Sequence, residues 1–158
     1  MIRVTAAVDI ARPQQDVFAF LADIGNAPRW QRGVVSSHKV SEGPMRVGTK
    51  FTETMQVMGM KFDANCEVTV FEPPQRLTMV ADGKLVHYEG GFTFEPTAAG
   101  TRLAVNGQVA LKGFWRLLAP LMGGEIRKES QAELEDIRKV LESAGQDIRT
   151  GSKVDPDA

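Results

Sequence analysis

From residue 61 to residue 70 the chain alternates without a break. Phe62, Ala64, Cys66, Val68 and Val70 fall on one side, and Lys61, Asp63, Asn65, Glu67 and Thr69 on the other. A period of two residues belongs to a strand with one face in the core and one in water. The same period opens the chain, where Ile2, Val4, Ala6, Val8 and Ile10 share a face. It recurs with Phe51, Glu53, Met55 and Val57, with Leu77, Met79 and Ala81, with Val86, Tyr88, Gly90, Phe92 and Phe94, and with Leu103, Val105, Gly107 and Val109. Turn signals lie between these runs: Gly43-Pro44 and Gly48, Gly59, Pro73-Pro74, Asp82-Gly83 and Ala99-Gly100. Proline cannot donate to a strand ladder, and Asp and Gly tolerate the positive φ of tight turns. Strands this close together leave no room for crossover helices, so the spacing predicts an antiparallel meander of six or seven strands. Gly90, Gly91 and Gly107, inside strands, predict bulges or sharp curvature.

A curled sheet has a concave apolar face that something must cover. The cover is predicted over 113–144. Met122, Ile126, Ser130, Leu134, Ile137 and Leu141 form one stripe at helical spacing, and Arg127, Lys128, Glu135, Arg138 and Lys139 lie off it. Pro120, which lacks an N–H, is expected to interrupt this helix, with Gly123 and Gly124 adding flexibility. An earlier helix is predicted over about 13–23, with Pro13 in its first turn and Val17, Phe20, Leu21 and Ile24 facing inward. Gly25 and Pro28 end it, and Trp30 follows on an irregular stretch. The polar residues 145–158 are expected to form a disordered tail, which sets a single domain at 1–144.

A chain of 158 residues suits one domain, and its 42% apolar and 25% charged residues are ordinary for a globular protein. The net charge of −1 comes without a basic stripe, so no nucleic-acid partner is expected. No stretch approaches the ~20 apolar residues of a membrane span, so no integral membrane association is expected. The N-terminal segment reads as a strand and not as a signal peptide. One cysteine cannot make an internal disulfide, so a reduced, cytoplasmic compartment is expected. His38 and His87 lie far apart with no acidic cluster at ligand spacing, so neither a metal nor a cofactor is expected. Monomer and homodimer both remain open.

The element order and several local signatures resemble the START-like (SRPBCC, helix-grip) superfamily, and especially its polyketide cyclase/dehydrase-like branch. The carrying residues are Ala11-Arg12-Pro13 and Val17-Phe18 after the first strand, and Trp30 after Asn26-Ala27-Pro28. Val47-Gly48-Thr49, the turn Phe71-Glu72-Pro73-Pro74-Gln75-Arg76-Leu77, and Tyr88 with Phe92 and Phe94 complete them. The resemblance covers about 1–144. It implies an α+β helix-grip fold: a curved antiparallel sheet wrapped around a long C-terminal helix, two short helices after the first strand, and a ligand cavity between sheet and helix. The family includes lipid carriers, hormone receptors, aromatic cyclases, quinone-binding proteins and chaperone-ATPase activators, so the ligand stays open.

Within that frame, Glu53 shares a face with Phe51, Met55 and Val57. A carboxyl pointing into an apolar grip has its pKa raised by desolvation and serves either as acid/base or as an anchor for a ligand hydroxyl. The alternative is a bulge or edge position that lets it reach water. Tyr88, the only tyrosine, either offers its phenol to a ligand carbonyl or sits in the core with its hydroxyl on backbone. Trp30 stacks on a flat ligand or seals the core. Cys66 reads as a small buried hydrophobe. Ser130 offers its hydroxyl to ligand or to the carbonyl four residues back. His87 and Glu89 fall on the outer face, His38 is undecided, and the charge run 125–129 reads as a solvated helix face. Met55, Met58, Met60, Met79 and Met122 suit an adaptable pocket or simple gap filling. The candidate ligand-binding set is Trp30, Phe51, Glu53, Met55, Val57, Cys66, Val68, Met79, Tyr88, Phe92, Met122, Ile126 and Ser130, with Glu53 and Tyr88 as candidate catalytic groups. The loop 43–48 and the helix break at 120–124 are candidate gates.

Three functions are compatible with these readings. The leading one is binding of a small hydrophobic molecule such as a lipid, quinone or aromatic polyketide-like compound. The second is cofactor-independent cyclisation or dehydration. The third is a ligand-free protein-interaction module.

Overall fold

The computed structural model describes residues 1–57 and 59–151, with side chains for residues 1–56 and 59–144. Seven strands form one antiparallel sheet: β1 (Ile2–Ile10), β2 (Val34–Lys39), β3 (Lys50–Val57), β4 (Met60–Glu72), β5 (Arg76–Gly83), β6 (Val86–Pro96) and β7 (Thr101–Leu111). Their order is β1-β7-β6-β5-β4-β3-β2. The meander therefore runs from β2 to β7, and β1 closes it by pairing with β7, Ile2 opposite Val109 through Ile10 opposite Thr101. Two short helices, α1 (Gln14–Ala22) and α2 (Ala27–Trp30), cross from β1 at one edge to β2 at the other, joined by a 3-10 turn, Ile24–Asn26. After a second 3-10 segment, Gly113–Leu118, the 33-residue α3 (Ala119–Gly151) spans the concave face. This is the α+β helix grip that the strand spacing and the final amphipathic stripe call for.

The alternation of β1 is reproduced in its burial, with Ile2, Val4, Val8 and Ile10 inside. On α3, Leu134, Ile137 and Leu141 are buried as their spacing predicts. They meet Val8, Ile10, Phe94 and Leu103 in a solid core completed by Val17, Phe18 and Leu21 of α1. Phe18 packs on Phe94 and Phe71, with ring centroids 5.0 and 5.5 Å apart.

Several local expectations differ from the structure. Trp30, expected on an irregular stretch, ends α2, and Pro28 lies in the first turn of that helix. Val70, expected inside, gives way to Phe71 past the bulge in β4. Pro120 does not interrupt a helix: it lies in the first turn of α3, where a missing N–H donor breaks no intrahelical bond, and Gly123 and Gly124 are helical. The helix continues past 144 to Gly151, so the disordered tail expected from 145 begins within it; residues 152–158 lie outside the described residues. The bulges fall between Val34 and Ser36 and between Val68 and Val70, not at the strand glycines, whose pairing with both neighbours is continuous. The glycines instead permit close approach. A Cβ on Gly107 would lie 2.7 Å from Tyr88 Cε2 and 2.8 Å from its Oη, so the missing side chain is the seat of the tyrosine ring. Finally, the hairpin signalled by Asp82-Gly83 has Lys84 and Leu85 at its tip, and Asp82 still pairs with His87.

Candidate functional site: an acidic-walled cavity under the helix

The grip is filled at one end only. Along α3, the large side chains Leu134, Ile137 and Leu141 face the half of the sheet that holds Ile10, Phe94 and Leu103. The earlier turns present Ile126 and Ser130 to the other half, where Ala64 and Ala81 put little volume on the sheet surface. The mismatch leaves a cavity of about 290 Å³. It is lined by Val4 of β1, by Val105 and Val109 of β7, by Met79 and Ala81 of β5, by Val86, Tyr88 and Phe92 of β6, and by Phe51, Glu53 and Met55 of β3. Leu21, Ile24, Ala27 and Trp30 from the two short helices and the turn between them close its side. Trp30 stands edge-on to Phe92 at 5.8 Å, on the border between core and cavity.

Of the sequence-predicted residues, Trp30, Phe51, Glu53, Met55, Met79, Tyr88, Phe92, Ile126 and Ser130 line this space. Cys66 and Val68 do not. They share the inner face of β4 with Ala64 but lie farther along it, 3% and 1% exposed, inside the solid core. Burial pushes the Cys66 thiol up to about 12, and the nearby Glu53 carboxylate adds to this, so the sulfur stays protonated. Met122 is also away from the cavity, whose lining takes its first residue of α3 at Ile126. The side chain of Val57 and all of Met58 lie outside the described residues. Ser130 makes the local bond: its hydroxyl donates to the Ile126 carbonyl at 3.1 Å. His87 is on the outer face, as its register requires, but it is not simply solvated. Its ring nitrogens meet Asp82 at 2.9 Å and Glu89 at 3.0 Å, and Lys112 bonds the same Asp82 oxygen at 2.6 Å. His38 is exposed on edge strand β2.

Glu53 is the chemical centre of the site. It is 7% exposed, lines the cavity, and has no hydrogen-bond partner for its carboxyl among the described residues. Loss of water pushes its carboxyl up from 4.5 to about 7. Its cross-strand neighbours explain the isolation. On β4 it faces Ala64, and on β2 it faces Ser37, whose buried hydroxyl is itself unpartnered. Tyr88 likewise has no hydroxyl partner among the described residues. Burial, and then the charge of Glu133, push its phenol up to about 12, which leaves it a neutral donor at physiological pH.

Glu133 is the residue that sequence reasoning missed. It lines the cavity from α3. Burial lifts its carboxyl to about 8 against the pull of the Arg32 amide and guanidinium, with Glu129 and Asp136 adding to the rise. The signal was available: Glu133 lies seven residues after Ile126 and three after Ser130, on the same face of the helix. Asp23 and Glu129 complete the acidic lining, and no Lys, Arg or His among the described residues contributes to it. Among the described residues, no three His, Cys, Asp or Glu side chains are grouped as metal ligands. Nor is any helix among them long and apolar enough to cross a membrane.

Comparison with solved structures places this architecture among many alike. A Thermus thermophilus protein is 21% identical with a TM-score of 0.75, the match covering 90% of this chain and 98% of that one. A conserved protein from Geobacillus kaustophilus is 19% identical with a TM-score of 0.75, covering 90% and 96%. The Zhui aromatase/cyclase from a Streptomyces species is 15% identical with a TM-score of 0.73, covering 89% and 93%. At these identities the likeness is one of fold. No functionally curated protein shows a significant sequence match. The family model described as polyketide cyclase / dehydrase and lipid transport matches residues 1–142, and the chain, with its helix laid across a half-filled sheet, belongs to that family.

Proposed function

We propose that this chain binds a small, largely apolar molecule in the cavity between the sheet and α3, with Glu53 and Tyr88 as the polar groups that orient it. The observation that carries this reading is Glu53: a buried, unpartnered carboxyl facing a void. A carboxyl without a partner in a packed core is costly. The same carboxyl beside a cavity is free to take its partner from a guest. Apolar walls supply affinity at roughly 25 cal/mol per Å² buried, before the costs of association. The volume of about 290 Å³ suits a molecule of one to three rings better than a long-chain lipid.

The test is extraction of the purified protein with organic solvent and mass spectrometry of the extract, alongside titration with naphthylmethanol as an uncharged aromatic probe. Ala81→Phe adds a ring at a small residue of the cavity wall. The native protein should bind the probe, and the variant should bind at least about tenfold more weakly while remaining folded. Equal binding by both would place the ligand elsewhere.

A second reading, cyclisation or dehydration without a cofactor, is favoured by one observation. A carboxyl held near 7 in an apolar site can both give and take a proton at neutral pH. Neutral Glu53 would donate to a leaving hydroxyl, and its ionised form would accept the proton lost from the adjacent carbon, while the Tyr88 phenol would hold a carbonyl. Glu53→Gln separates the readings: retained binding with lost turnover supports catalysis, and retained turnover removes it. The interaction-module reading, which predicts a sizeable exposed apolar patch and a small or absent pocket, has less support, since the cavity stands against it.

A further inference from the structure

The cavity is one-sided in charge. Its polar lining includes four carboxyls, those of Asp23 beside α1, Glu53 on β3, and Glu129 and Glu133 on α3, and no basic side chain among the described residues. The cation that reaches Glu133, Arg32, is engaged with Asp136 at 3.1 Å. Asp23 is also partly satisfied, since its carboxylate accepts the Gly25 N–H at 3.0 Å. Glu53 is not: it is more than nine-tenths buried, unpartnered and open to the void. An anionic guest, such as a fatty acid, would bring a further negative charge among these groups. An uncharged guest could satisfy Glu53 and Tyr88 but would add nothing to the partial compensation that Glu133 draws from Arg32. A cation is the guest whose charge every acidic group in the lining favours.

We propose that the ligand of this cavity is an apolar molecule carrying a basic nitrogen, and that Glu53 receives its ammonium group while Glu133, on α3, adds to the attraction. The inference rests on the binding function proposed above and specifies the class of guest. Ser37 on β2 stands opposite Glu53, and Cys66 on β4 is near enough to feel its charge; Tyr88, Glu129, Glu133 and Asp23 share the cavity lining with it. Cys66 and Tyr88 stay neutral throughout the physiological range, and Glu133, raised to about 8 by burial, gains negative charge as pH rises.

The charge on Glu53 then couples ligand affinity to pH. With its carboxyl near 7 in the free protein, Glu53 is mostly neutral at about pH 6 and mostly ionised at about pH 8. An ammonium guest stabilises the ionised form and therefore displaces a proton from the neutral one. Its affinity should rise roughly tenfold between about pH 6 and about pH 8, the increase in the ionised fraction over that interval. A carboxylate guest should show the opposite slope.

The experiment uses three probes on one aromatic frame: naphthylmethylamine, naphthylmethanol and naphthoic acid. Each is titrated calorimetrically into the whole chain at the two pH values, in buffers of differing ionisation enthalpy so that proton release is counted. The expected result is that the amine binds at least about tenfold more tightly than the alcohol at about pH 8, with proton release near neutrality and the weakest binding by naphthoate. In Glu53→Gln the amine should lose most of its preference and keep only the shallower pH slope that Glu133 supplies, while the alcohol's affinity stays within about threefold. Glu133→Gln, at a half-buried position of α3, should lower the amine-to-alcohol ratio and provides the same readout if the first variant does not fold. If the alcohol or naphthoate binds at least as tightly as the amine at about pH 8, the charge assignment is wrong and the binding function stands. If none of the three binds, both are wrong.

Discussion

Replacing Glu53 with glutamine keeps the size of the side chain and removes its titration. In the folded protein, burial holds the Glu53 carboxyl near 7, whereas an exposed glutamate titrates at 4.5. The sign follows from proton counting. Below about 4.5 both folded and unfolded forms carry the proton, and the residue contributes no pH dependence. Between 4.5 and about 7 the unfolded chain loses it and the folded protein keeps it, so stability falls as pH rises. Above about 7 both are ionised and the loss is complete. At about 1.4 kcal/mol for each tenfold difference in proton affinity, the loss amounts to about 3 kcal/mol. That is a large part of the roughly 5–15 kcal/mol typical of a small domain. The amide in the variant carries its own burial cost, but that cost does not vary with pH. The difference in stability between variant and native protein should therefore shift by about 3 kcal/mol in favour of the variant between about pH 4 and about pH 8. Urea denaturation followed by circular dichroism at several pH values, without ligand, measures it directly. A difference that stays flat with pH would mean that Glu53 reaches water or a partner in the folded protein, and the anchor role would fall with it.

Three further outcomes follow from the packing. Ile137→Ala, in the solid half of the grip, should cost about 2–5 kcal/mol in urea denaturation, whereas Ile126→Ala, beside the cavity, should cost much less because its side chain already borders empty space. Gly107→Ala places a methyl group in the seat of the Tyr88 ring and should lower stability by about 1–3 kcal/mol; the ring, driven toward the void, should weaken naphthylmethanol binding as well. His87 on the outer face is raised by its bonds to Glu89 and Asp82. Its stabilisation is complete below 6.5 and fades as pH rises through the higher folded value, so His87→Gln should flatten that part of the pH–stability profile, and added salt should shrink the effect.

Much of this fold is written in the sequence as periodicity. The alternation of β1, and of β4 as far as Val68, assigns residues to a face, and the helical recurrence of Leu134, Ile137 and Leu141 states which side of α3 is inside; past the bulge at Val68 and Val70 the face changes, and Phe71, not Val70, packs into the core. Strand β2 is less legible, because Val34-Val35-Ser36-Ser37 contains a bulge that shifts its register against β3 midway. Position along an inner face is harder to read than the face itself. Ala64, Cys66 and Val68 alternate identically, yet Ala64 borders the cavity and the other two lie in the core. What separates them is the curvature of the sheet and the line along which α3 crosses it, both set by many side chains at once. Glu133 escaped notice for the reverse reason: its place on the helix was readable, but its charge suggested a solvated face.

The cavity itself is a consequence of small residues placed where large ones would fit. Ala27, Ala64 and Ala81 line it, and Ser130 occupies the point on α3 where Leu134 and Ile137 would continue as another large apolar group. Close-packed interiors are the rule, and filling unused space commonly raises stability. A sequence shaped only for stability would place larger apolar groups at these positions and a leucine or methionine in place of Glu53. This chain instead combines a void, an unpaired carboxyl and a free phenol in one half of its interior, while the other half is packed solid around Leu134, Ile137 and Phe94. The two halves have different tasks. The solid half holds the helix to the sheet, so the open half can forgo both packing and charge compensation until a guest supplies them.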